Sequence, residues 1–216
     1  MIKLVIVDFD DTLCLTEHAS FLLENESAKS MGFAPMSRKI HRANWGKPLQ
    51  EAIIERIPGI DPEVFMNKYE KLIPGFVQKG KLDTISEINL DTLDAIKKSG
   101  RKLAILTSRQ LVEARHLLHE DHPLGSRIEA FYHKDNSEYT KPNPKVFDKI
   151  LSFFQIKPTE TVYVGDSITD ALCTKQAGIH FIAVLESGLR TKKDFQGIPV
   201  DFFAKTFPDI LQYINR

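Results

Sequence analysis

"KLVIVDFDDT", Lys3–Thr12, decides how this chain is read. Its first half is a short run apolar on both faces, as strands of a buried parallel sheet are. Three carboxylates, Asp8, Asp10 and Asp11, then fall within four consecutive positions. Like charges this close repel unless a cation, a proton or a positive partner relieves them. Four more apolar runs follow: "KLAIL" (102–106), "IEAFY" (128–132), "TVYV" (161–164) and "HFIAVL" (180–185). Helical stretches separate them. Leu90, Leu93 and Ile96 keep helical spacing up to Gly100, and Asn143 caps and Pro144 opens a helix expected to bury Val146, Ile150 and Phe153. Strands alternating with helices predict an α/β fold with a doubly wound, mainly parallel, Rossmann-like sheet.

The first and second runs are roughly 94 residues apart, whereas a crossover between parallel strands needs little more than about 12. The intervening chain has helix signals and no strand pattern. "EHASFLLENESAKSMG" runs to Gly32, "PLQEAIIERIPG" stops at Gly59, and Asp61-Pro62 starts a helix with Phe65, Tyr69 and Leu72 on one face. Residues 14–83 are therefore expected to form a small inserted helical cap, with 1–13 and 84–216 forming the core. No Gly/Ser tract separates the two, so the joints near 14–18 and 76–84 read as short hinges.

Composition narrows the function. The 216 residues are 42% apolar, enough for a real core, and 29 basic residues balance 29 acidic ones. A net charge of zero supplies no overall field for nucleic acid or an acidic membrane, and neither is expected as a partner. No apolar run approaches the ~18 residues of a membrane span, and "MIKLVIVDFDD" is too short for a signal segment. Cys14 and Cys173 are the only cysteines and read as small buried side chains in a reducing compartment, so the chain is expected to be cytoplasmic.

In an open parallel sheet the reactive crevice lies outside the carboxyl ends of the strands. Asp8, Asp10 and Thr12 follow the first run, and Thr107, Ser108 and Arg109 follow the second. Lys141 precedes "NPKVF", and Asp166 and Asp170 follow "TVYVG". Asp8 and Asp10 are two apart, which in an extended chain keeps both side chains on one side, and Asp166 arrives from a neighbouring strand end. Three carboxylates call for a hard cation. Mg2+ takes oxygen ligands, retains waters and bridges to phosphate. Lys141 with Thr107 and Ser108 adds charge and donors suited to a phosphoryl group. Taken singly, each motif has an ordinary structural explanation: an acidic turn, an N-cap with a first-turn Asp, a solvated lysine. Their order and their common position at strand ends are what those explanations leave out. The seven histidines show no partner pattern and read as surface or satisfied core residues.

"DFDDT", the Thr107–Ser108 pair, "KPNP" and "GDSITD" resemble, in order, the four motifs of the haloacid dehalogenase-like superfamily. The helical insert after the first resembles its phosphoglycolate-phosphatase-like branch. The family usually has Gly where this chain has Asp11. The resemblance implies an aspartyl-phosphate mechanism on a small phosphorylated metabolite, with Asp8 as nucleophile and Asp10 as the acid that protonates the leaving oxygen and then activates water. It further implies Thr107, Ser108 and Lys141 on the phosphate, and a Mg2+ site drawn from Asp8, Asp10, Asp166 and Asp170. The stretch "RANWGKPLQEA" resembles the family's cap loop facing the core, which makes Trp45 and Lys47 candidates for reading the leaving group. A dehalogenase needs neither metal nor a second acid, and a phosphonate hydrolase tends to lack the second Asp. A sugar phosphomutase shares the core residues but tends to carry Arg where Leu49 stands. A receiver-like phospho-acceptor lacks the insert, and a silent binding protein would be expected to lose Asp8 or Asp10.

Overall fold

The computed structural model describes all 216 residues. The acidic run begins where the first strand, β1 (Leu4–Val7), ends, and all four residues of that strand are completely buried. It lies at the centre of a six-stranded sheet of order β3-β2-β1-β4-β5-β6, with every pairing parallel. The other strands are β2 (Lys102–Leu106), β3 (Ala130–Tyr132), β4 (Thr161–Gly165), β5 (His180–Val184) and β6 (Phe202–Ala204). The strand order reverses at β1, where β2 and β4 flank it, so the crevice expected at such a switch point opens beyond Val7. Alternation along β1 explains its unbroken apolarity. Val5 and Val7 enter the hydrophobic cluster on one face of the sheet, while Leu4 and Ile6 enter the cluster on the other.

β6 was not foreseen from sequence, because three residues at a sheet edge carry too little periodic signal, and the third run pairs over a shorter stretch than its apolar length suggests. The helix expected after Asn143 starts as a 3-10 turn, Pro144–Phe147. Its buried face is Val146, Phe147 and Ile150 rather than Phe153, which is 62% exposed. A 3-10 turn advances only three residues per turn and so rotates the register of the helix behind it.

Between β1 and β2 the chain forms α1 (Glu17–Ser30), α2 (Arg38–Ala43), α3 (Leu49–Arg56) and α4 (Pro62–Gln78), then returns through α5 (Glu87–Lys98). α1, α3 and α4 close over a cluster of their own that includes Leu23, Ile53, Phe65 and Tyr69. α2 is too short for its period to have been read. α4 continues through Pro74 and Gly75, because Ile73, Phe76 and Val77 pack against this cluster and compensate for the lost N–H bond. Cys14, placed in the insert by sequence, packs with the core. The remaining helices are α6 (Leu111–Ala114), α7 (Asp148–Phe154), α8 (Ile168–Ala177) and α9 (Leu211–Ile214). No helix is long and apolar enough to cross a membrane.

Candidate active site

Asp8 continues the β1 ladder by one bond, its N–H donating to the Val164 carbonyl at 2.8 Å, before the chain turns. One carboxylate oxygen accepts from the Phe9 N–H at 2.8 Å and the other from the Lys141 ammonium at 2.9 Å. Lys141 also donates to Asp170 at 2.7 Å and to the Tyr163 hydroxyl at 3.0 Å, which donates in turn to the Leu106 carbonyl. Its side chain is 6% exposed, so these contacts hold the ammonium at one point. Burial opposes that charge, and the Asp170 and Asp8 carboxylates outweigh it, keeping Lys141 protonated far beyond the ordinary lysine range.

The turn from β4 into α8 supplies Asp166 and Asp170. Ser167 caps α8 through the Asp170 N–H, and Asp170 reciprocates by accepting from the Ser167 N–H at 3.0 Å and hydroxyl at 2.6 Å. The turn fits only because residue 165 is glycine: a Cβ there would lie 2.6 Å from the Asp170 carboxylate. One carboxylate oxygen from each of Asp8, Asp166 and Asp170 lies within 4.8 Å of the others, and all three residues are buried. Burial pushes the Asp8 carboxyl up to about 7, with Asp170 and Asp10 adding to the rise and Lys141 opposing it. Burial and the neighbouring Asp170 and Asp8 raise Asp166 well above the usual carboxylate range. The one ammonium therefore pairs with Asp8 and Asp170 and leaves Asp166 without an ion pair. Such an oxygen-only donor set suits a hard divalent cation, and the buried, unrelieved Asp166 is the group that most needs one.

The Asp10 carboxylate, the fourth of the acids expected to bind metal, lies outside this group of three. The chain does not stay extended past Asp8. It turns, with the Leu13 and Cys14 N–H groups donating to the Phe9 carbonyl, and the Asp10 carboxylate is directed to Arg109 and Thr16. The Thr16 hydroxyl donates to it at 2.6 Å, Arg109 Nη2 at 2.7 Å and Nε at 3.0 Å. Thr107 stabilises the loop that carries Arg109, its hydroxyl accepting from the Arg109 N–H at 3.2 Å, whereas Ser108 faces the cleft. Both residues of the pair expected to bind phosphate thus sit on the loop that follows β2. Sequence reasoning gave Arg109 no role. The available signal was its place after β2, opposite an acidic run that lacked a cation.

The roof of the cleft comes from the cap loop. Trp45, Gly46, Lys47 and Pro48 line it, with Glu24 and Arg56 above. The Trp45 indole N–H donates to Asp11 at 2.5 Å, joining roof to floor. Asp11 has a left-handed backbone, φ 51°, and its second oxygen accepts from the Thr16 and Glu17 N–H groups that begin α1. Glycine would take that backbone more easily but could make neither contact. Lys47 lines the cleft mouth, yet its ammonium pairs with Glu55 at 2.8 Å on the exposed cap surface. Arg190, on the loop after β5, lines the same mouth from the core side.

The sequence and the fold have known counterparts. The chain is 24% identical over 221 residues to a phosphoglycolate phosphatase of Vibrio vulnificus, covering 99% of this chain and 96% of that protein. It is 28% identical over 129 residues to the pyrophosphatase PpaX of Anoxybacillus flavithermus, a match spanning 58% of this chain and 57% of its relative. A mutant of CbbY from Rhodobacter sphaeroides, solved with xylulose-(1,5)bisphosphate, shares the fold with a TM-score of 0.82 at 19% identity, over 97% of this chain and 96% of that one. Residues 5–184, from β1 through the end of β5, match the family described as haloacid dehalogenase-like hydrolase, and with its four motif segments gathered at one edge of a parallel sheet the chain belongs to that family.

Proposed function

We propose that the protein is a Mg2+-dependent phosphatase that hydrolyses a small phosphomonoester through an aspartyl-phosphate on Asp8. The observation that carries this reading is the setting of Asp8, held by Lys141 on one side and faced by the otherwise unpaired Asp166 on the other. A carboxylate attacks an anionic phosphoryl group poorly until surrounding positive charge lowers the repulsion. Asp8 and Asp166 would hold the Mg2+, which supplies that charge and polarises phosphoryl oxygens, while Asp170 fixes Lys141.

The Asp8 oxygen bonds to phosphorus as the ester P–O bond breaks, and Asp10 gives its proton to the departing oxygen. Asp10 then takes a proton from the water that attacks the phosphoryl group, which leaves as inorganic phosphate and restores Asp8. Lys141 and Ser108 hold phosphoryl oxygens throughout, and Thr107 fixes the loop that presents Ser108. Trp45 and Lys47 in the roof face the leaving group, and Arg190 stands across the mouth from them. Phosphoglycolate, pyrophosphate and xylulose bisphosphate, the compounds named for the relatives, all carry a second anionic group. Two cationic residues at the mouth support a substrate of that class. Two buried free thiols, Cys14 and Cys173, support a cytoplasmic setting.

The test is hydrolysis of p-nitrophenyl phosphate with and without Mg2+, followed by a panel containing those three compounds. Turnover that needs Mg2+ and vanishes in Asp8→Asn is expected. Undiminished turnover in that variant would refute the mechanism.

A further inference from the structure

Both chain crossings between core and cap meet on one side chain. The first runs from Asp8 to Thr16 and contains Asp10, and the second runs from Lys79 to Ser86 and contains Asp83. Arg109, 8% exposed on the loop after β2, spans the two. Its Nη2 and Nε bond Asp10 at 2.7 and 3.0 Å, while Nη1 and Nη2 bond Asp83 at 2.6 and 2.8 Å. The guanidinium carbon lies 4.8 Å from the centre of the Phe9 ring, and Nη1 also donates to the Glu113 carbonyl. Asp83 has a left-handed backbone, φ 56°, and the Oδ2 that accepts from Arg109 Nη1 also meets His116 Nε2 at 2.7 Å.

We infer that Arg109 and Asp83 form a positioning pair that ties the orientation of Asp10 to the cap hinge. The inference rests on the phosphatase reading for its catalytic consequence. The physical reason is geometric. A planar fork with two bidentate partners cannot turn toward one without leaving the other. A change in the second crossing therefore moves the guanidinium, and the guanidinium moves the carboxylate that serves as acid. The first crossing carries Asp10 itself. Cap position and acid geometry are in this way set together.

An ester with an acidic phenol as leaving group needs little protonation, whereas an alkyl ester needs the Asp10 proton as its bond breaks. Arg109→Lys and Asp83→Asn should therefore each lower kcat/KM on β-glycerophosphate by about tenfold more than on p-nitrophenyl phosphate. A merely structural loss would lower both equally. A second measurement does not need turnover. Asp10→Asn and Asp83→Asn have no contact with one another, so their shifts in urea midpoint should be non-additive when Arg109 is present and additive in Arg109→Met. Equal losses on the two esters, or additive shifts with Arg109 in place, would overturn the coupling. A wild-type protein inactive on both esters would instead overturn the phosphatase reading, leaving the urea cycle to decide the coupling by itself.

Discussion

The floor of the cleft and the cap above it each bury a group of acids, and they are neutralised differently. In the cap, Glu17 accepts from Arg38 and Arg42 and faces one nitrogen of the buried His41, while Glu24 faces the other and pairs with Arg56 at 2.6 Å. Burial alone would raise Glu17, but hydrogen bonds from Arg38, Arg42 and His41 outweigh it and hold the carboxyl down at about 2. On the floor, Asp8 and Asp170 share one lysine while Asp166 has no ion pair, and burial leaves Asp8 at about 7. The cap acids are balanced from within the chain. The floor acids have a single ammonium among them, so a bound cation would supply the charge they lack, the difference expected between an ion network that builds a domain and one that builds a site.

The largest expected effect is on turnover. Asp8→Asn should lower kcat by at least about a thousandfold, since no other group in the cleft stands in its place. Steady-state hydrolysis of p-nitrophenyl phosphate measures this, and circular dichroism checks that the fold is retained.

Stability should separate the two groups by sign. Glu24→Gln takes away the one carboxylate paired with a guanidinium that is 1% exposed, and should cost about 3 kcal/mol in urea unfolding. Asp166→Asn, by contrast, relieves repulsion and should raise Tm in metal-free buffer. A loss of stability in both variants would mean that the floor acids are balanced internally after all.

The pH dependence follows the same division. Asp8, ordinarily 3.8 and about 7 in the fold, contributes stability that is complete below about pH 4 and lost as pH rises through about 7. Glu113, buried beside the cleft and also raised to about 7, behaves likewise. Glu17 acts in the opposite direction. So does Asp83, where burial is outweighed by the Arg109 charge and by hydrogen bonds from His116 and Arg109, leaving it at about 2. Their contribution is present above about pH 4 and is lost as pH falls through about 2. Thermal unfolding across pH in chelator should decline from about 4 to 7, and Mg2+ should remove the share due to Asp8 while leaving that of Glu113.

The smallest effect belongs to the roof. Lys47→Ala should leave Tm unchanged, because the ion pair it makes with Glu55 is exposed to solvent, and should lower kcat/KM a few-fold on a substrate with a second anion but not on p-nitrophenyl phosphate. Equal changes on both would move the reading of the leaving group to Trp45 or Arg190.

How much of this was legible in the sequence follows from how local each cause is. β1, β2, β4 and β5 announce themselves by apolar runs, and each floor residue is fixed by its place just beyond one of them. Lys141 reaches Asp8 because the motif that carries it follows β3, two strands away in the sheet. What sequence did not show depends on contacts between distant segments. Arg109 joins residues 10 and 83, Asp11 receives an indole from position 45, and the Phe9 turn redirects Asp10 to a partner 99 residues away. The exposed Phe153 came from a helix whose 3-10 start shifts its face, a change that spacing alone does not reveal.

Calorimetric titration with Mg2+ at pH 7.5 tests most directly whether the floor acids are left unpaired for a cation. The account predicts one Mg2+ bound per chain in the wild type, none in Asp166→Asn and an unchanged isotherm in Glu55→Gln, a charge change on the exposed cap surface. Binding that persists in Asp166→Asn, or fails in the wild type, would contradict it.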